Sequence, residues 1–248
     1  MQNNFYFINN HSNIYKKPSK QSEVVSQIIY GEKFKILEKN KSWIKIKTLF
    51  DNYKGFIKNS KYVEKFSSNY KVSSLKAKIF KKPGIETNSW LPLASKLSVF
   101  EQNRSYVKIE KNKWIKKRDI KKLNHKEKNF VKIFKKFINV KYVWGGKTFK
   151  GIDCSALLQI FYFYNNSFYP RDTKDQIKYT KKNSKKRLFK KGDIIFWKGH
   201  VAMCLNSKQL IHAYGPERKV IIMPIIETIN RIEKTAKLKV KKISRIKY

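Results

Sequence analysis

The sequence predicts an α+β domain preceded by two small all-β barrels. Three observations carry this. A pattern of about 60 residues occurs twice in the first half of the chain, each copy alternates apolar and lysine side chains, and helical spacing appears only from about residue 123 onward.

The repeat is read directly. Ile14-Tyr15-Lys16-Lys17-Pro18 returns as Ile79-Phe80-Lys81-Lys82-Pro83, Trp43-Ile44-Lys45-Ile46 as Tyr106-Val107-Lys108-Ile109, and Gly55-Phe56-Ile57 as Lys113-Trp114-Ile115. The offset falls from 65 to 63 to 58, so the second copy has shorter loops. Period-two alternation in Phe34-Lys35-Ile36 and in Trp43 to Lys47 marks strands, and Pro18, Gly31, Pro83 and Gly84 punctuate them. Most of Trp43, Trp90 and Trp114 are expected to be barrel core rather than ligand platforms. The domains expected are residues 1–66, 67–122 and 123–248.

In the last segment, Phe130, Ile133, Phe134 and Phe137 predict an amphipathic helix within Asn124 to Asn139. A loop with Gly145, Gly146 and Gly151 follows, then a nearly all-apolar helix over Ser155 to Tyr164. Short apolar strands fill Asp193 to Pro224.

The net charge is +41, yet only seven of the 58 basic residues are Arg and 51 are Lys. Lys rises together with Asn, Ile, Phe and Tyr, which reads as a coding bias expressed on solvated positions. Specific phosphate recognition draws on the guanidinium fork, so no specific nucleic-acid partner is expected, although polyanions are attracted at low salt. Two cysteines 50 residues apart give neither a disulfide framework nor a zinc site, and no cofactor is called for. No apolar run is long enough to span a membrane. The first ten residues lack a basic and apolar leader pattern, so a cytoplasmic location is expected, or a secreted or periplasmic one if a leader has been lost. Oligomeric state is not legible.

Cys154 stands where a glycine loop meets the head of the apolar helix. Backbone N–H groups there favour a thiolate, so a lowered thiol pKa is expected. A nucleophile needs a base, and the chain has four histidines. His11 and His125 lie in the first barrel and a Lys-rich link. His200 and His212 follow the cysteine helix on adjacent predicted strands, His200 to take the thiol proton and His212 to orient its ring. Cys204, between Met203 and Leu205, reads as core.

Five blocks in order, namely Tyr142-Val143-Trp144-Gly145-Gly146, Gly151 to Leu157, Pro170-Arg171-Asp172-Thr173 with Gln176, Lys191 to Val201 and Ile211-His212-Ala213, resemble the NlpC/P60 peptidases over roughly residues 125–230. The two repeat copies resemble bacterial SH3 (SH3b) domains over residues 12–64 and 70–122. The resemblance implies a papain-like core with Cys154, His200 and His212 as triad, preceded by SH3b modules. It implies a murein peptide substrate, cut at the γ-D-glutamyl link to a diamino acid through an acyl-thioenzyme. It also implies substrate-binding roles for Tyr142, Asp153 and Ser155, the last two holding a substrate amine; Arg171 and Gln176 read as structural. Ala156 departs from the commoner glycine of the motif, and Tyr214 to Glu217 receive no role. The competing readings are a basic wall-polymer or nucleic-acid binding module with a decayed site, and another thiol amidase on the same core.

Overall fold

The computed structural model describes residues 4–181 and 188–246. The chain forms two compact units, Met1–Lys126 and Glu127–Tyr248.

The first unit is all β. Its first copy contains β1 (Asn4–Phe7), β2 (His11–Tyr15), β3 (Val24–Ile29), β4 (Lys33–Lys39), β5 (Trp43–Thr48), β6 (Lys54–Lys58) and β7 (Tyr62–Val63), in the order β3-β2-β6-β5-β4-β1-β7. Alternation sorts the side chains, so that Ile44, Ile46 and Ile57 join Phe7, Ile14 and Phe34 in the core. The second copy contains β8 (Tyr70–Val72), β9 (Lys76–Lys82), β10 (Ile85–Pro92), β11 (Lys96–Leu97), β12 (Glu101–Gln102), β13 (Tyr106–Glu110), β14 (Lys113–Lys116) and β15 (Ile120–Lys122). Its strands run β10-β9-β14-β13-β12 and β11-β8-β15. That is the order of the first copy, with the counterpart of β4 cut in two. At the cut, the Asn69 side chain replaces the ladder, donating to Val99 O and accepting from Val99 N, both at 2.8 Å.

The repeat extends to individual bonds. Asn40 Oδ1 accepts from the N–H groups of Ser42 and Trp43 at 3.1 and 2.7 Å, and Asn103 Oδ1 from those of Ser105 and Tyr106 at 3.0 and 2.8 Å. Lys45 pairs with Glu38 at 2.6 Å and Lys108 with Glu101 at 2.7 Å. Tyr15 meets Trp43 edge-on at 5.4 Å, and Phe80 meets Tyr106 likewise at 5.1 Å.

The three tryptophans correct the expectation made for them. Trp43, Trp90 and Trp114 are half-buried and absent from the core. Trp43 shares a strand face with Lys45 and Lys47, whereas the intervening isoleucines point inward. Lysine ammonium groups lie over the other two rings, Lys78 at 4.6 Å from Trp90 and Lys108 at 5.4 Å from Trp114. Long lysine stems thus cover aromatic surface while their charges stay in water.

The copies are also packed together. Tyr30 of the first lies in the core of the second and donates to Glu110 Oε1 at 2.7 Å.

The second unit is α+β. It contains α1 (Phe130–Lys135), β16 (Lys147–Thr148), β17 (Gly151–Ile152), α2 (Cys154–Tyr164), α3 (Thr173–Tyr179), β18 (Asp193–Trp197), β19 (His200–Cys204), β20 (Gln209–Tyr214), β21 (Lys219–Pro224), α4 (Ile225–Ala236) and β22 (Lys242–Arg245). The antiparallel sheet β21-β20-β19-β18-β22 has α4 on the face carrying Ile195, Ala202, Cys204 and Leu210. Leu157 and Leu158 of α2 meet the other face at Val201, Met203 and Ile211. Every residue of α2 is buried, as expected of a helix apolar all round. Helix α1 is shorter than its periodicity predicts: Asn129 caps it, Asn139 adopts φ +65°, and the chain turns away after Phe137. The four apolar residues of the predicted stripe, Phe130, Ile133, Phe134 and Phe137, are nevertheless buried. No helix among the described residues is long and apolar enough to cross a membrane.

Gly31 sits at φ +76°, where its N–H donates to Phe7 O at 2.7 Å, and an added Cβ would lie 2.3 Å from Lys96 O. Gly31→Ala is therefore expected to destabilise the first unit by at least about 2 kcal/mol, measured by urea unfolding, because backbone strain and a backbone clash coincide.

Candidate active site

Asp153 and Arg171 build the site's frame. Asp153 caps α2, its Oδ1 accepting from Ala156 N at 2.8 Å, as a short polar side chain does at a helix start. Arg171 grips both carboxylate oxygens, Nη1 to Oδ1 at 3.0 Å and Nη2 to Oδ2 at 2.6 Å. Ser155 Oγ accepts from Arg171 Nη1 at 2.9 Å and donates to Asp153 Oδ1 at 3.1 Å. Gly145 N donates to Asp153 Oδ2 at 3.0 Å, which ties the preceding glycine loop to the same carboxylate. Gly146 presses against Gly151, where a Cβ would come 2.5 Å from the carbonyl oxygen. Gln176 donates to Ser155 O and Pro170 O, both at 2.9 Å, and serves the frame as expected.

Cys154 is thereby fixed at the first position of α2, buried. Its Sγ lies 4.0 Å from Gly199 O, and the Val201 N–H and Thr173 hydroxyl also bond to it. The sulfur is therefore held by backbone groups on both sides of His200, the first residue of β19. Among the described residues no hydrogen bond joins the sulfur to the His200 ring. Catalytic contacts of this kind are often long without substrate and tighten when it binds. His200 Nε2 lies 2.9 Å from His212 Nδ1 on the adjoining strand. Tyr214 stacks on His212 at 4.6 Å and 10°.

Electrostatics corrects one expectation. Burial pushes the Cys154 thiol up to about 12, and the Asp153 charge adds to this. The Val201 N–H, the Thr173 hydroxyl and Arg171 oppose the rise without cancelling it. Desolvation thus outweighs the helix N-terminus and favours the Cys154 thiol over its thiolate. Burial also lowers His200 to about 4, and holds His212 well below its ordinary value with help from the His200 and Arg231 charges. The resting cysteine and histidines are neutral.

The three residues expected to bind substrate differ in setting. Asp153 and Ser155 are buried, and their oxygens are bonded within the frame, so an incoming amine would share an acceptor already in use. Tyr142 is half-buried, its N–H bonded to Arg218 O at 2.8 Å. Burial, Cys154 and Asp153 all raise its hydroxyl pKa, so it stays a donor. Sequence reasoning gave no role to Thr173 at the sulfur or to Tyr214 against His212. Cys204 is buried in the sheet core, as expected.

Two outcomes are expected from this frame. Arg171→Ala should destabilise the second unit by about 3–5 kcal/mol in urea unfolding, because it strands a buried carboxylate, and Arg171→Lys should recover only part of the loss. In the second, the unfolded chain takes up protons on these imidazoles near pH 6.5 while folded His200 resists until about 4. Stability should therefore be complete above about pH 6.5 and be lost as pH falls through that window. A urea midpoint that stays flat from pH 6.5 down to 5, above the carboxylate range, would contradict this.

Residues 139–236 match the NlpC/P60 family, and residues 10–64 match the bacterial SH3 domain. The chain is 22% identical over 231 residues to a dipeptidyl-peptidase 6 from Lysinibacillus sphaericus, covering 82% of this chain and 84% of that protein. It is 34% identical over 99 residues to a gamma-D-glutamyl-L-lysine dipeptidyl-peptidase from Bacillus cereus, covering 37% of this chain but 29% of that protein. A solved NlpC/P60 family protein from Bacillus cereus shares the fold with a TM-score of 0.81 at 18% identity, covering 98% of this chain and 99% of that one. The chain therefore carries a bacterial SH3 domain followed by an NlpC/P60 cysteine-peptidase domain.

Proposed function

We propose that the protein is an endopeptidase of murein peptides that cuts the γ-D-glutamyl bond to a diamino acid. The observation that carries this reading is the sulfur of Cys154 bonded to the backbone on both sides of His200, whose ring is bonded in turn to His212. The name of the gamma-D-glutamyl-L-lysine dipeptidyl-peptidase relative supports the choice of bond. The repeated strand order supports a second SH3b-type barrel over residues 67–122, after the first over residues 1–66 and before the catalytic domain.

On substrate binding the Cys154 proton passes to His200 as Sγ bonds to the scissile carbonyl carbon. His200 then gives that proton to the departing amine as the C–N bond breaks, leaving a thioester. Water attacks the thioester, His200 takes its proton, and the thiol is restored with release of the acid. His212 orients the His200 ring, and the Tyr142 hydroxyl donates to the oxyanion or to substrate. Asp153 and Ser155 take the substrate's amine by sharing the acceptors that Arg171 organises.

A panel of defined murein peptides analysed by mass spectrometry tests this. L-Ala-γ-D-Glu should be released from a tripeptide ending in a diamino acid. Cys154→Ala and His200→Ala should each lower the rate at least about 10³-fold with the fold retained. Release of the same product by the Cys154→Ala protein would defeat the assignment.

A further inference from the structure

The His212 ring has a polar neighbour at each nitrogen. Nδ1 faces His200 Nε2 at 2.9 Å, and Nε2 faces the Met223 sulfur at 3.3 Å. A thioether offers lone pairs and no proton, so attraction across the second contact requires the proton on His212 Nε2. His212 is buried and neutral, and a neutral imidazole carries one ring proton. Its Nδ1 is therefore bare and can only accept. The proton in the 2.9 Å contact then belongs to His200 Nε2, which leaves a lone pair on His200 Nδ1.

The geometry points to Met223 as a positioning residue that fixes the order of protons along the two histidines and so makes His200 Nδ1 the base. The opposite order would set a bare nitrogen against the sulfur lone pairs. It would also place the His200 proton on the nitrogen that has to receive one. Two features hold the arrangement. In the β20–β21 ladder Met223 is opposite Leu210 and His212 opposite Ile221, so sulfur and imidazole are diagonal neighbours on one sheet face. Tyr214 stacks on the His212 ring and fixes its plane, and the Arg231 guanidinium lies 5.6 Å from the Tyr214 centroid, tethered to Glu217 at 2.8 Å.

This inference rests on the proposed role of His200 as base, and its test reads protons as well as turnover. In protein labelled with 15N at histidine, long-range proton–nitrogen correlations near pH 7.5 should show both histidines protonated at Nε2. Met223→Leu keeps the volume and removes the acceptor, so His212 should become a mixture of tautomers. Its kcat should fall about tenfold with KM within about twofold, short of the ~10⁴-fold loss that a wholly wrong tautomer causes in a Ser-His-Asp triad. Should the Leu variant fail to fold, norleucine in place of methionine removes the same sulfur. Wild-type His212 protonated at Nδ1 overturns the inference, and so does an unchanged tautomer in the folded variant. Tautomers as expected in a wild-type protein that cleaves no murein peptide would defeat the proposed substrate and leave standing the proton order that Met223 sets.

Discussion

The buried ion pair between Asp153 and Arg171 is the constraint on which the second unit depends. A carboxylate at the head of a helix buried on every side has no water to stabilise it, so its charge must be met inside the fold. Arg171 does this with two parallel bonds, and in doing so fixes three other things. The helix start is capped, the glycine loop is tied down through Gly145, and the Ser155 hydroxyl is oriented. Cys154 follows the carboxylate directly, so its position is set by the pair although it makes no hydrogen bond to it. The Cys154 sulfur inherits its precision from a neighbour.

The same burial decides how the chemistry starts. Taking a thiol and two imidazoles out of water favours their neutral forms, and the partial charge of one helix end is too small to reverse this. A buried thiol held in its neutral form is less open to the oxidation and alkylation that a standing thiolate invites.

Much of this was legible in the sequence, for physical reasons that differ by element. The positions of several strands followed from period two, and the buried helix from its nearly all-apolar run. Cys154, His200 and His212 stood out as candidates because the chemistry admits few residue types and the chain has few of them. The tryptophans were misjudged although Trp43 alternates with isoleucine and shares its face with lysine; ring size was weighed above register. Met223 was invisible, because alternation assigns a side chain to a face but says nothing of a diagonal sulfur contact. Arg171 left a signal of a different kind. In a chain with 51 lysines and seven arginines, Arg171, Arg231 and Arg245 each pair with a carboxylate. Arg245 bonds Asp193, itself almost wholly buried, through Nε and Nη2.

The duplicated β unit carries its own internal control. Two stretches of one polypeptide in the same solvent carry Asn40 and Asn103 in matching turns while Trp43 and Tyr106 beside them differ. What both halves retain is the side chain that completes a backbone bond, and what they let drift is the ring packed on the outside. Ala94 stands where Gly31 does, at φ +69°, so even the left-handed turn outlasted the residue best suited to it. A tandem copy thereby separates what an architecture demands from what it merely tolerates.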